Sequence, residues 1–179
     1  MALYYSLDRR GLYRSGQNFN LTQLPTPALP MTPQAEAQFS SGISMHGLTY
    51  FIGAGIHFSN RNNNASAAIE YALELFRGLH FPDKPSRFVS MFGCETIDEV
   101  KHFRGTSKSP LSTPIYEVHS DSNCHKGDMN LFNPGCPLCE FDRRMYAYWR
   151  GETYSLHEGY EPFWEMIIPL PATIGQQAA

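Results

Sequence analysis

An α+β fold is what this sequence of 179 residues predicts, and three observations lead there. Short runs of β-forming residues are interrupted at irregular intervals by capped, amphipathic helical patterns, with no regular strand–helix–strand repeat. Aromatic residues make up 13% of the chain and charged residues only 17%, a balance that suits a compact, β-rich domain with aromatic-lined clefts. The length fits one domain, 1–179, with a sizeable core.

The opening "ALYYSL" reads as a strand, and "DRRGLYRSGQNFNLTQ" as a turn and a second extended piece. The Pro-rich "LPTPALPMTPQ" can be neither helix nor central strand and is expected as an exposed loop. "HGLTYFIGAGIHFS" reads as extended and Gly-punctuated. "NNNASAAIEYALELFRGLH" predicts a helix with Asn64 as cap, Ile69, Leu73 and Phe76 on one face, and Gly78 just past its end. "SRFVSMF" reads as a strand running into "ETIDEVKHFRG", where Thr96 and Glu99 spell a capping box and Gly105 closes the helix. "PIYEVHS" is the next strand. A third helix is expected from Pro137, with Leu138, Phe141, Met145 and Trp149 along one side and Gly151 as its stop. "FWEMIIPLPATI" reads as one last strand, at a sheet edge or bulged, because Pro169 and Pro171 cannot donate to a ladder.

Composition narrows the function classes. A formal charge of -3 and an isoelectric point of about 6.1 argue against a general phosphate-backbone binder, so nucleic acid is an unfavoured partner. No apolar run approaches the roughly 20 residues that span a bilayer, and "MALYYSLDRR" lacks the order of a signal peptide, so a soluble chain without membrane partners is expected. Because the chain opens directly in a strand, it also reads as a catalytic domain cut from a longer protein. Four unevenly spaced cysteines are too few for a disulfide scaffold and favour a reducing compartment.

Three pieces stand in a telling order: "LYYSLDRRGLYRSGQ", then "SRFVSMFGCETIDEVKHF", then "FWEMIIPLPATI". Together they resemble the ADP-ribosyltransferase fold, in which a first strand contacts NAD, a serine-bearing strand feeds a short helix, and a late glutamate opens a strand. The resemblance covers most of the chain. It implies a split β-sheet core with short helices, NAD as cofactor, and mono-ADP-ribosyl transfer to a protein acceptor. It also implies the setting of a secreted bacterial effector or toxin acting in the host cytosol, where such enzymes modify a threonine or serine of a host protein such as ubiquitin.

On this resemblance Glu165 is the catalytic carboxylate. Cleavage of the nicotinamide–ribose bond passes through an oxocarbenium-like state, and a carboxylate on the ribose 2-hydroxyl strengthens its hydrogen bond as positive charge grows. The competing reading is a strand-end glutamate exposed to water or paired with an arginine. Glu152, after the stop glycine, is the second candidate. Ser90 matches the start of the family's serine motif. Tyr5 and Ser6 stand where the family places Arg or His on the first strand, and Arg9, Arg10 or Arg14 just downstream are expected to supply the cationic contact to pyrophosphate. Tyr50 is placed to stack on nicotinamide. Phe163 stands where arginine-modifying members carry Glu or Gln, which points to a non-arginine acceptor.

"CHKGDMNLFNPGCPLC" supports a second class of function. Cys136 and Cys139 have C-x-x-C spacing, and Cys124 with His125 or His119 would complete four tetrahedral ligands, giving a zinc-stabilised binding module without enzymatic activity. The same pair at a helix start also suits a redox dithiol.

Overall fold

The computed structural model describes residues 1–24, 30–53 and 64–179, and side chains from 67 in the last of these. Its architecture is mixed, with two antiparallel sheets and a few helices. The strands are β1 (Ala2–Leu7), β2 (Asn18–Phe19), β3 (Ser90–Gly93), β4 (Ile115–Ser120), β5 (His125–Asp128), β6 (Trp164–Pro169) and β7 (Ala172–Gln177). The helices are α1 (Pro33–Gln38), α2 (Met45–Tyr50), α3 (Asn64–His80), α4 (Ile97–Thr106) and α5 (Leu138–Arg150). One sheet runs β1-β4-β7-β2 and the other β3-β6-β5.

The sheets meet at one seam. Tyr5 and Cys94 exchange both backbone hydrogen bonds, at 2.9 and 2.8 Å, which ties the middle of β1 to the end of β3. Gly93 makes this approach possible: a Cβ there would lie 2.6 Å from the Tyr5 carbonyl oxygen. A second link is covalent, since β6 leaves its sheet through Leu170–Pro171 and enters the other as β7.

The chain's final apolar run is therefore two strands, and neither is an edge strand. β6 lies between β3 and β5, and β7 between β4 and β2. The expected edge placement fails because Pro169 and Pro171 fall at the corner between sheets, where no ladder donor is required. Met91, Val118, Met166, Ile168 and Ile174 form the core beneath this corner.

Helix chemistry agrees with the sequence at several ends. Thr96 and Glu99 make the reciprocal capping box of α4. Gly151 closes α5 in the left-handed conformation, at φ 72°. Leu73, Met145 and Trp149 form one core with Ile69, Phe76 and Phe141 packed against it, whereas Leu138 is 80% exposed and does not share that face.

Other expectations are corrected. Gly78 lies inside α3, which continues to His80, because helical φ leaves its missing Cβ in open space. Gly105 is likewise inside α4, with Ser107 as cap. "SRFVSMF" begins as a 3-10 turn, Arg87–Val89, before becoming β3. "HGLTYF" is helical: Ser44 accepts from the Gly47 N–H and caps α2, a local bond that outweighs the β-forming tyrosine and threonine. The remainder of that run from residue 54, residues 25–29 of the Pro-rich run over 24–34 and the capping role of Asn64 lie outside the described residues. The end of the Pro-rich run is helix rather than loop: the Thr32 side chain caps α1 and Pro33 and Gln34 form its first turn, where a missing N–H costs no helical bond. Among the described residues no helix is long and apolar enough to cross a membrane.

Candidate functional site

A cleft of about 310 Å³ opens along the seam between the sheets, at the small end of the roughly 300–1,000 Å³ usual for small-molecule sites. β1 and the turn after it form one wall, α2 another, and β3 and β6 the floor. Of the residues singled out from the sequence, Tyr5, Ser6, Arg9, Arg10, Tyr50, Ser90 and Glu165 line it, whereas Arg14 and Glu152 do not.

The turn is built locally. Asp8 accepts the backbone N–H of Leu12 and of Tyr13, each at 2.9 Å, and Gly11 takes a positive φ of 67°. That turn leaves Arg9 and Arg10 exposed on the rim. Arg9 lies 5.2 Å above the Phe103 ring, and Arg10 donates to Thr49 on α2 at 2.9 Å. Arg14 is spent on the carbonyls of Gly11 and Tyr13.

Two of the expected hydroxyls are committed to backbone. Ser6 donates to the Phe92 carbonyl at 2.7 Å, and Ser90 to the Ser86 carbonyl at 2.7 Å. Each is buried, so their clearest work is to hold β1 and β3 in register with their surroundings. Tyr5 is half-buried beside the Cys94 bridge. Tyr50 sits on a helix rather than a strand, with its ring 4.6 Å from that of His46.

Glu165 is 4% exposed, on the central strand β6. Its Oε1 accepts from Arg87 Nη1 and, at 2.9 Å, from the Tyr148 hydroxyl. Oε2 has no hydrogen-bond donor among the described residues. The arginine pairing given as the competing reading is thus real, and it anchors one of the two carboxylate oxygens.

Arg87 organises the floor. Its Nε and Nη2 fork onto Glu70 at 2.7 and 2.9 Å, while Nη1 also donates to the Tyr148 hydroxyl at 2.7 Å. The guanidinium lies 4.5 Å from the Phe92 ring centroid and 5.1 Å from that of Phe132. Burial opposes the charge on Arg87, but Glu165 and Glu70 outweigh it and raise the guanidinium's pKa well above its ordinary value. Burial would also raise the Glu70 carboxyl; Arg87 and His46 reverse that and hold it well below the usual carboxylate range. Tyr148 is pushed far upward by burial, with Glu165 adding to the shift, so it stays a neutral donor.

His46, on α2, completes the floor. Its Nε2 is buried 3.0 Å from Glu70 Oε2, without the alignment of a hydrogen bond. The ring lies among Phe92, Tyr50 and Phe88. Two carboxylates and one guanidinium give the floor a formal charge of -1 when His46 is neutral, while the rim carries two arginines. Sequence reading missed His46, Glu70, Arg87 and Tyr148. A glutamate at a core-facing position of "AAIEYALEL" and an arginine between buried residues in "SRFVS" were the available signals.

Of the remaining candidates, Phe163 shares the cleft and Glu152 and the cysteine-rich segment do not. Glu152 is exposed and pairs with Arg150 at 2.9 Å, outside the cleft lining. Phe163 does line the cleft, edge-on to His102 and 5.8 Å from the Phe103 ring. In the cysteine-rich segment His125 is buried in β5, its Nε2 2.9 Å from the Tyr148 carbonyl oxygen. Cys124 and Cys136 make local contacts to the Ser122 and Asn133 carbonyls, and all four cysteines are free. Among the described residues no group of three or more His, Cys, Asp or Glu could hold a metal ion.

A family model described as "Protein of unknown function (DUF2441)" matches residues 35–171. The chain belongs to this family. The DUF2441 match begins inside α1 and runs past β6, and hence takes in His46, Glu70, Arg87, Tyr148 and Glu165, while β1 and its turn precede it. A comparison with curated proteins gave no match.

Proposed function

We propose that the cleft binds NAD and that the protein transfers its ADP-ribosyl group, with release of nicotinamide, to a non-arginine acceptor. One observation carries the reading: residues 5–10, 50, 90 and 165, far apart in sequence, line a single cleft at the seam of two sheets, with a buried carboxylate held by one oxygen at its floor. The charge layout supports it. The nicotinamide–ribose end of NAD is cationic and becomes an oxocarbenium-like cation as it cleaves, which a floor of formal charge -1 favours over neutral or anionic groups. The pyrophosphate is anionic, and Arg9 and Arg10 offer it the rim.

Glu165 Oε2 takes the ribose 2-hydroxyl, while Arg87 and Tyr148 keep the carboxylate aimed. Phe163 at the mouth offers an apolar contact and no acceptor for a guanidinium, so a hydroxyl of a host protein, ubiquitin among the candidates, is the acceptor class proposed. Secretion as a bacterial effector belongs to the same proposal.

Incubation with NAD tests this directly. Nicotinamide release above a protein-free control is expected, and release at the control rate with protein acceptors present overturns it. Glu165→Gln should lower turnover on the order of a hundredfold or more with little change in NAD affinity, because the lost interaction grows as the bond breaks. Glu152→Gln should retain parent activity; the reverse pattern would move the catalytic role to Glu152.

A further inference from the structure

We infer that His46, oriented by Glu70, is the general base that takes the proton of the attacking hydroxyl or water. The inference rests on the reading of the cleft as an NAD site. It assigns the two members of the floor cluster which that reading leaves without a task.

The argument begins with which nitrogen carries the proton. Nε2 lies 3.0 Å from a carboxylate oxygen of Glu70. A bare nitrogen lone pair at that distance would be repelled by the carboxylate, so neutral His46 holds its proton on Nε2. Arg87 keeps Glu70 ionised by lowering its pKa, against burial, so the carboxylate that sets this preference is held in place by the guanidinium. Nδ1 is then the basic nitrogen, and it makes no hydrogen bond with any described residue. Both residues line the cleft that holds Glu165.

The geometry divides labour through one guanidinium. Arg87 grips Glu70 with Nε and Nη2 and Glu165 with Nη1. Glu165 faces the growing positive charge, whereas Glu70 faces the imidazole that must become positive. In the step, the bond from ribose C1′ to nicotinamide nitrogen breaks and its electron pair leaves with neutral nicotinamide. A lone pair of the acceptor oxygen forms the new bond to C1′, and the acceptor's proton passes to Nδ1. The resulting imidazolium is stabilised by Glu70 and later gives its proton to water. His46 is the catalytic residue here; Glu70 is a positioning residue.

The test uses the full chain, NAD, and methanol as a small hydroxyl acceptor, with nicotinamide, ADP-ribose and its methyl glycoside measured together. His46→Ala should lower nicotinamide release about a hundredfold, within the range for loss of a general base, leave NAD binding near the parent's, and recover in part with added imidazole. His46→Gln should be equally slow and gain nothing from imidazole. Parent-like release by both variants overturns the inference while leaving the NAD reading intact. A drop in NAD binding with no imidazole rescue also overturns it, since that marks a packing or binding role. A separate readout needs no turnover: nitrogen NMR of labelled histidine at alkaline pH should show His46 with its proton on Nε2, and Glu70→Gln should weaken that preference. Proton residence on Nδ1 in the parent overturns the inference even if nicotinamide is released. An inactive parent overturns both readings.

Discussion

Replacing Arg87 with glutamine strikes the one cation that holds the floor together. The side chain is 4% exposed and makes four hydrogen bonds, two to Glu70, one to Glu165 and one to Tyr148. Glutamine reaches one of these partners at most and leaves two carboxylates buried with no guanidinium between them. Breaking a buried ion pair by removing one partner costs about 3–5 kcal/mol, because the stranded charge stays desolvated. For a chain of this size that corresponds to a melting temperature lower by about 6–20 °C. The pH dependence sharpens the expectation. Glu70 has a folded pKa below its ordinary 4.5, so the stability it contributes is fully present above about pH 4.5 and is lost as pH falls below that value. Without Arg87, burial is the largest remaining influence on Glu70 and acts to raise its carboxyl, so the variant is worst at neutral pH and is relieved by protonation. The assay is urea unfolding of parent and Arg87→Gln at several pH values. A gap of several kcal/mol at pH 7 that narrows below pH 4.5 is expected. A gap under about 1 kcal/mol at pH 7, or one that widens on acidification, would refute the view that Arg87 is an obligatory counter-ion.

Three further outcomes follow from particular residues. Agmatine should not be labelled by the parent protein, since Phe163 lines the cleft where a guanidinium would need an acceptor; efficient labelling, read by mass spectrometry, would reverse the assignment of acceptor class. Burial lowers His125 from 6.5 to about 4, so its stabilising contribution is present above pH 6.5 and is lost, by about 3 kcal/mol at most, as pH falls toward 4; His125→Gln should flatten that part of the stability profile, measured by thermal unfolding. Gly127→Ala would place a Cβ 2.0 Å from the Tyr148 ring, so the ring that donates to Glu165 must shift; destabilisation of about 1–3 kcal/mol is expected in chemical denaturation, together with reduced nicotinamide release.

How much of the chain was legible depends on the range of the interaction that sets each element. α4 and the end of α5 were readable because their signals are local: a Thr96–Glu99 capping box and a left-handed Gly151 act within a few residues. The first strand and β4 were readable from β-forming runs that lie on one half-buried surface. α2 was misread because its decisive bond, from Gly47 N–H to Ser44, competes with β-forming neighbours. β5 lies inside a segment whose cysteine spacing resembles a metal-ligand pattern, and its pairing partner is β6, roughly forty residues later, so no local signal marks it as a strand.

By itself the sequence determined the mixed class, the ends of the best-capped helices, and a shortlist of side chains that includes Glu165 and the Arg9–Arg10 rim. Tertiary structure decided the rest: that Pro169 and Pro171 turn a corner between central strands, that Glu152 points to solvent, and that Ser6 and Ser90 serve the backbone. It also decided that Glu70 from α3, Arg87 from the turn before β3, Tyr148 from α5 and Glu165 from β6 converge on one floor beside His46. No local pattern encodes that convergence. A buried charge is tolerated only where its counter-charge arrives, and here each counter-charge is delivered by a different element of the fold.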